Sequence, residues 1–421
     1  MVDAGVDGEV DGALEGVRVV DLTRVLAGPL CTMWLGDMGA DVIKIERPGR
    51  GDDTRSWGPP FVGDESAYFL GVNRNKRSLT LDLDNEAGRD VLRQLIATAD
   101  VVVDNFKIGT LERWGFTDEW FDEHAPTVVR CTVTGYGSTG PKAGLPGYDF
   151  ILQAESGLMS ITGEPDGQSM KLGVAIVDIC TGMFATISVL GALQARQRTG
   201  RGQRTESSLH DTSIQLLANV AANHLASGED AARYGNGHPN IVPYRTFATA
   251  DGELAVSVGN DDQFVRFAEI LGQPEWAVDD RFRSNRDRVL HRDLLDGKIA
   301  DVLASRTRAE WTAALEPVGI PTGPINTVAE ALASPQTRAR DMVAEVDHPT
   351  VGAVPIVGIP FQMFGTPASI RRPPPTIGQH SREVLDELPG LDADDIEQLL
   401  RAGVTTIPPS TSPANLNPTT P

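Results

Sequence analysis

Apolar and polar positions alternate along the first third of the chain in a repeating order. VRVVDL, from Val17, is a short apolar run; a helix-like stretch from Pro29 to Met38 follows, opened by proline, and then Gly39 leads into ADVIKIE. Apolar runs of this length bounded by turn residues read as buried strands, and the stretch between them as a crossover helix. The order continues through SLTLDL (78–83), a helical pattern over 86–97, VVVDN (101–105) and VVRCTVTGYG (128–137). Strands alternating with helices predict an α/β fold. Its largely parallel, Rossmann-like sheet is covered on both faces and meets ligands at the carboxyl ends of the strands.

Two more helices are expected over 183–197 and 207–222. Near Gly228 the texture changes: YRTFATADGELAVSVGN alternates on either side of Asp251-Gly252 and predicts a hairpin opening a smaller α+β domain. The expected organisation is a large domain over 1–225, a small one over 226–330, a return to the large domain over 331–404, and a tail, 405–421, too polar and proline-rich to order itself. A chain of 421 residues has apolar material for two cores.

Charge narrows the class of partner. Lys plus Arg number 37 against 58 Asp plus Glu, a formal charge of −21, which repels nucleic acid and anionic membranes at long range. The start MVDAGVDGEV has no basic segment leading into an apolar core, and no run of eighteen uninterrupted apolar residues occurs. Cys31, Cys131 and Cys180 form no CxxC pair, and the histidines are scattered without HExxH. A cytoplasmic protein with no metal, no nucleic-acid role and no membrane role is therefore expected.

The candidate chemistry is made of carboxylates, cations and glycines. Asp178 is a lone carboxylate in a polar breach between LGVAIV and ICTGMFATISVLGAL. At the mouth of a helix it is either a cap or a nucleophile held ionised by backbone N–H groups. The turn after Arg24, with Gly28 and Pro29 at a helix opening, has the makings of an anion cradle. Arg24, Lys44, Arg47, Arg55, Arg74, Lys76 and Arg77 crowd the first 80 residues of an acidic chain, as a phosphorylated ligand requires. Lys44, inside VIKIE, reads as structural. Asn105-Phe106 puts an amide and an aromatic face at a strand end.

Several long stretches then carry a likeness: VVDLTRVLAGPLCTMWLGDMGADVIKIERPGRGD, NRNKRSLTLDL, VVVDNFKIGTLERWG, VTGYGSTGP and GYDFILQAESGLMSITG. Over about Leu14 to Val404 the chain resembles the class III CoA-transferases, which include formyl-CoA:oxalate transferase, carnitine CoA-transferase and α-methylacyl-CoA racemase. GDDTRSWGPPF, NIVPYRTF and HPTVG are most similar to the succinyl-CoA:glutarate branch. The resemblance implies CoA transfer from an acyl-CoA such as succinyl-CoA to a free dicarboxylate such as glutarate, with CoA as substrate and no tightly bound cofactor. Asp178 matches the nucleophile, which passes through a mixed anhydride and an aspartyl-CoA thioester.

By the same resemblance Arg24 and Val25 lie beside the CoA thiol, Arg47, Lys76 and Arg113 near phosphates, and Asn105, Phe106 and Leu209 against the CoA body. Arg55 and Arg74 are candidates for the acceptor's distal carboxylate, and Asn260 and Gln263, on a small-domain cover loop, are candidates for contacting a substrate carboxylate. Tyr148 stands where the racemase branch has a histidine; a phenol is a poor base at neutral pH and serves as a hydrogen-bonding wall. The alternatives are a 2-methylacyl-CoA epimerase and a non-catalytic CoA-binding protein. The resemblance also implies an interlocked homodimer.

Overall fold

Valine-rich strands open the structure, a computed structural model that describes residues 12–408. β1 (Arg18–Leu22), α1 (Ala27–Asp37) and β2 (Asp41–Glu46) form the first crossover unit. β3 (Lys76–Thr80), α2 (Glu86–Ala97), β4 (Val101–Asp104) and β5 (Val129–Thr134) continue it. α3 (Asp149–Glu155), α4 (Ile176–Thr199), β6 (Arg204–Ser208) and α5 (Leu209–Gln215) complete the large unit's wound part. The six strands are parallel in the order β3-β2-β1-β4-β5-β6. Val20, Ile43, Leu79 and Val102 meet Val91, Leu95 and Ile96 of α2 on one face.

Three differences from the sequence expectation have physical causes. β3 begins at Lys76 rather than Ser78, because Lys76 and Arg77 carry their charges into the strand already paired. Lys76 bonds Asp21 at 3.0 Å, and Arg77 pairs with Asp41, Glu383 and Glu387. The expected helix over 207–222 is instead β6, α5 and a separate helix, Ala218–Ser227. RTESS has no apolar residue and is a strand only because β5 offers its open edge. The chain also stays packed beyond 404: Thr405 is buried, and Thr406 N–H donates to Thr80 Oγ1 at 2.8 Å. Most of the expected tail, 409–421, lies outside the described residues.

The chain divides into two compact units. One holds the residues up to Ser156, Gly173–Leu217 and the chain from Pro335 on; the other holds Gly157–Leu172 and Ala218–Ser334. The boundaries thus fall at 217 and 334 instead of 225 and 330, and the short piece 157–172 joins the smaller unit. That unit has a sheet of β7 (Tyr244–Thr249), β8 (Gly252–Ser257) and β9 (Thr322–Pro324), all antiparallel. Its core includes Phe247, Phe264, Phe267, Phe282 and Trp311.

α4 is 24 residues long and apolar enough, by length and composition alone, to cross a membrane. Here Thr181, Gly182, Ala185, Thr186, Val189 and Ala192 are buried. Gly182 faces α1 so closely that a Cβ would stand 2.7 Å from the Ala27 carbonyl oxygen. That approach, one turn beyond Asp178, brings the first turns of α1 and α4 together.

Candidate active site

The sheet order changes direction between β1 and β4, and a cleft opens there beyond the strand ends, as doubly wound sheets require. Leaving β1, the chain turns sharply at Val25, whose φ of 75° is foreign to a β-branched residue and costs on the order of 1–3 kcal/mol. Asn105, leaving β4, clasps the turn from the side: its Oδ1 accepts from Arg24 N–H at 3.0 Å and its Nδ2 donates to the Arg24 carbonyl at 2.7 Å. α1 then begins at Leu26 without a side-chain cap, so its first N–H groups are left for a ligand.

Asp178 lies in the first turn of α4, half-buried. It is not the cap of that helix. The amides of Val177 and Asp178 donate to Asp149 Oδ1, at 2.7 and 3.3 Å, and Gln153 Nε2 donates to Asp149 Oδ2 at 2.6 Å. Asp149, from α3, therefore takes the N–H groups that were expected to hold Asp178 ionised. Burial first, and the neighbouring Asp149 charge second, push the Asp178 carboxyl up to about 7. A carboxylate this poorly solvated is more basic and more nucleophilic than an ordinary one.

Arg24, Val25, Asn105, Phe106, Tyr148 and Leu209 line one cavity of ≈ 240 Å³ with Asp178. A second cavity, ≈ 270 Å³, contains Arg47 and shares Arg24, Asp53, Phe106 and Lys107 with the first. The shared residues make the two cavities neighbours, and the second carries Lys44, Arg47 and Arg50 together with Glu46, Asp52 and Asp84. Arg47 is paired at 3.0 Å with Asp84, both more than half exposed, so an incoming phosphate competes with a weak surface pair. Arg113 is exposed, one turn past the rim residue Thr110, and donates to its hydroxyl at 3.0 Å.

Other expected residues are engaged elsewhere. Lys76 is fully buried, bonded to Asp21, the Pro29 carbonyl and Asn73, and props α1 from beneath. Arg55 forms a fork with Glu46 at 2.7 Å on both arms and also donates to the Pro375 carbonyl. Arg74 is buried in a fork with Asp37 and donates to the Val357 carbonyl. Both forks are complete, so neither arginine is placed to take a substrate carboxylate. Arg74→Lys, which loses the fork but keeps the charge, is expected to lower stability by about 1–2 kcal/mol in chemical denaturation. It is expected to leave the KM for the acceptor acid unchanged. Asn260 caps the helix Asp261–Ile270, and Gln263 bonds Gly259 N–H at 2.7 Å and the Gly319 carbonyl at 3.0 Å. The neighbouring Asp261 is neutralised by buried Arg288 at 2.7 Å.

Three site residues escaped the sequence reading. Asp149 stood in the quoted GYD, but nothing in the sequence showed that it caps α4. Tyr68 is the second. Its hydroxyl is pushed up to about 12 by burial and by Asp178, Asp52 and Asp149, so it remains a proton donor beside the candidate nucleophile. Its ring meets Trp57 edge-on at 5.2 Å. The third is Asp52, which accepts from Val25 N–H.

Known proteins share this architecture and sequence. A succinyl-CoA:glutarate CoA-transferase of Mus musculus is 44% identical over 93% of this chain and 90% of its own. A succinate–glutarate CoA-transferase of Agrobacterium fabrum is 44% identical over 89% and 95%. The crystal structure of a CAIB/BAIF family protein from Brucella suis superposes with a TM-score of 0.78 at 42% identity, covering 90% of this chain and all of that one. The family model for CoA-transferase family III matches residues 14–381. With Asp178 at the mouth of a cleft formed as that fold requires, the chain belongs to the family III CoA-transferases.

Proposed function

We propose that this enzyme moves CoA from succinyl-CoA to a free dicarboxylate such as glutarate, with Asp178 as the nucleophile. One observation carries the reading: a half-buried carboxyl raised to about 7 shares a cavity with an uncapped helix start, beside a second cavity that holds the exposed Arg47 and Arg50. The Asp178 carboxylate attacks the thioester carbonyl carbon, the C–S bond breaks and CoA thiolate leaves, giving a mixed anhydride. Thiolate attack at the Asp178 acyl carbon releases succinate and leaves an aspartyl-CoA thioester. The acceptor carboxylate attacks that thioester, and the thiolate then takes the acceptor's acyl group, so Asp178 is regenerated with no net proton change.

The uncapped N–H groups at the start of α1 suit the oxyanion that forms at each attack. Tyr148, on the cavity wall, supplies a hydrogen-bonding surface, and a phenol is a poor base for α-proton exchange, which argues against the epimerase reading. Arg24 and Lys107 are the cations lining the reactive cavity, and Arg24, paired with Asp53 at 3.6 Å in a partly exposed ion pair, can exchange that partner for an anionic group of a substrate.

We take the working form to be a cytoplasmic homodimer. Phe150, Ile151, Met183, Phe184, Ile187 and Ile214, on α3, α4 and α5, are all exposed, an apolar surface that a second copy suits. The three free cysteines suit a reducing compartment.

The test is transfer from succinyl-CoA to glutarate, 3-hydroxy-3-methylglutarate, malate, itaconate, oxalate and carnitine, followed by the mass of the new thioester. Dicarboxylyl-CoA products with glutarate foremost are the expected result. A product with carnitine alone, or deuterium exchange at C2 of a branched acyl-CoA without transfer, would sink it.

A further inference from the structure

Beneath the β1–α1 turn, on the wall of the ≈ 270 Å³ cavity, lies a set of buried charges. Lys44 and Asp52 are both buried and meet at 3.0 Å. Lys44 Nζ also donates to the Thr23 carbonyl at 2.8 Å, and both Asp52 oxygens accept from Val25 N–H at 3.3 Å. Asp52 is itself fixed: Thr54 donates to it through its N–H and its hydroxyl, at 3.0 and 2.8 Å, and its own N–H is bonded to Glu46 Oε2 at 2.9 Å. The pair therefore grips the peptide on each side of Arg24, and Asn105 grips Arg24 itself. A strained conformation persists only where its surroundings over-determine it, and here four independent bonds do so at a valine with φ 75°.

We infer that the Asp52–Lys44 pair is a positioning device for transfer: it holds Val25 in the left-handed region and so sets the direction from which the uncapped start of α1 meets Asp178. The inference rests on the transferase reading. The turn has little slack in other directions, because Gly28 is pressed on Thr23 so closely that a Cβ would lie 2.4 Å from that residue's own Cβ. Relaxing Val25 towards negative φ swings Leu26 and Ala27, both on the cavity wall with Asp178. The donors then point away from where the oxyanion forms, and small misplacements of such groups are costly in rate.

Asp52→Asn removes the charge and leaves one oxygen for the donors that now share two. It is expected to lower kcat roughly thirtyfold while the KM for succinyl-CoA moves less than about threefold. Glycine adopts positive φ at no steric cost, so in the Val25→Gly background the same Asp52→Asn change is expected to cost less than about threefold in kcat. A purely structural role for the pair predicts equal losses in both backgrounds. That result, or unchanged kcat in Asp52→Asn, overturns the inference. Should Asp52→Asn not fold, Lys44→Arg, which keeps the charge and displaces Asp52, is put through the same cycle and judged by the same coupling. Asp178→Asn marks the floor. Wild-type protein unable to transfer CoA at all would fail the function, whereas active wild type with no coupling to Val25 fails this inference alone.

Discussion

Asp178→Asn is expected to lower the rate of CoA transfer by about 10⁴-fold or more, because an amide has no anionic oxygen to attack the thioester. Incubation of wild type with succinyl-CoA, quenched and digested, is expected to leave CoA mass on the peptide carrying Asp178, and the variant none. The same substitution is expected to raise stability at pH 8. In the folded chain the Asp178 carboxyl sits near 7, against 3.8 for an ordinary aspartate, so between these values the folded protein keeps a proton that the unfolded chain has lost. Stability contributed by this group falls as pH rises through that window, and above 7 the wild type carries the full cost of a poorly solvated charge. The variant is expected to melt a few degrees higher at pH 8, by about 1–3 kcal/mol, with the gap closing as pH falls from 7 towards 4. A variant that unfolds more readily than wild type at pH 8 would mean that Asp178 serves the fold instead of the reaction.

The second expected result is an acid limb in the pH profile. Only ionised Asp178 attacks, so kcat/KM for succinyl-CoA is expected to fall about tenfold per pH unit below about 7 and to level off above it. Asp149→Asn keeps an acceptor for Val177 N–H but removes the like charge beside Asp178. Burial, the larger cause, remains, so the midpoint is expected to drop by about one unit rather than return to that of a free carboxyl. At pH 5.5 the variant then outpaces wild type, while at pH 8 it is several-fold slower, its nucleophile being less basic. A midpoint that stays at 7 in Asp149→Asn would detach the two carboxylates electrostatically.

The strands that build the cleft were legible because β1, β2 and β4 are largely buried on both faces and rich in valine and isoleucine, and because β5 keeps Val129, Cys131 and Val133 on its buried face. β6 was not, since an edge strand of RTESS takes its conformation from its neighbour. Asp178 stood out as a charge interrupting apolar sequence, and Asn105 and Tyr148 as polar groups at strand and helix ends. Arg55 and Arg74 misled for a general reason: residue type shows that a cation is present, and only the fold shows that Glu46 and Asp37 already occupy it. Tyr68, Asp149 and Asp52 stayed hidden because their importance lies in where a side chain from one segment ends relative to another. Burial raises the carboxyl at Asp178 most, and the further push comes from Asp149, which no spacing rule connects to it.

The stitching of Thr406 to Thr80 has a consequence for biosynthesis. The large unit opens with β1, yet its edge at β3 awaits the residues near 380 and 406 that bond Ser78 and Thr80. The residues assigned to the smaller unit all lie before Pro335. The part translated between them is therefore free to close first, while β1 to β3 wait, unfinished, for the segment that carries Thr406.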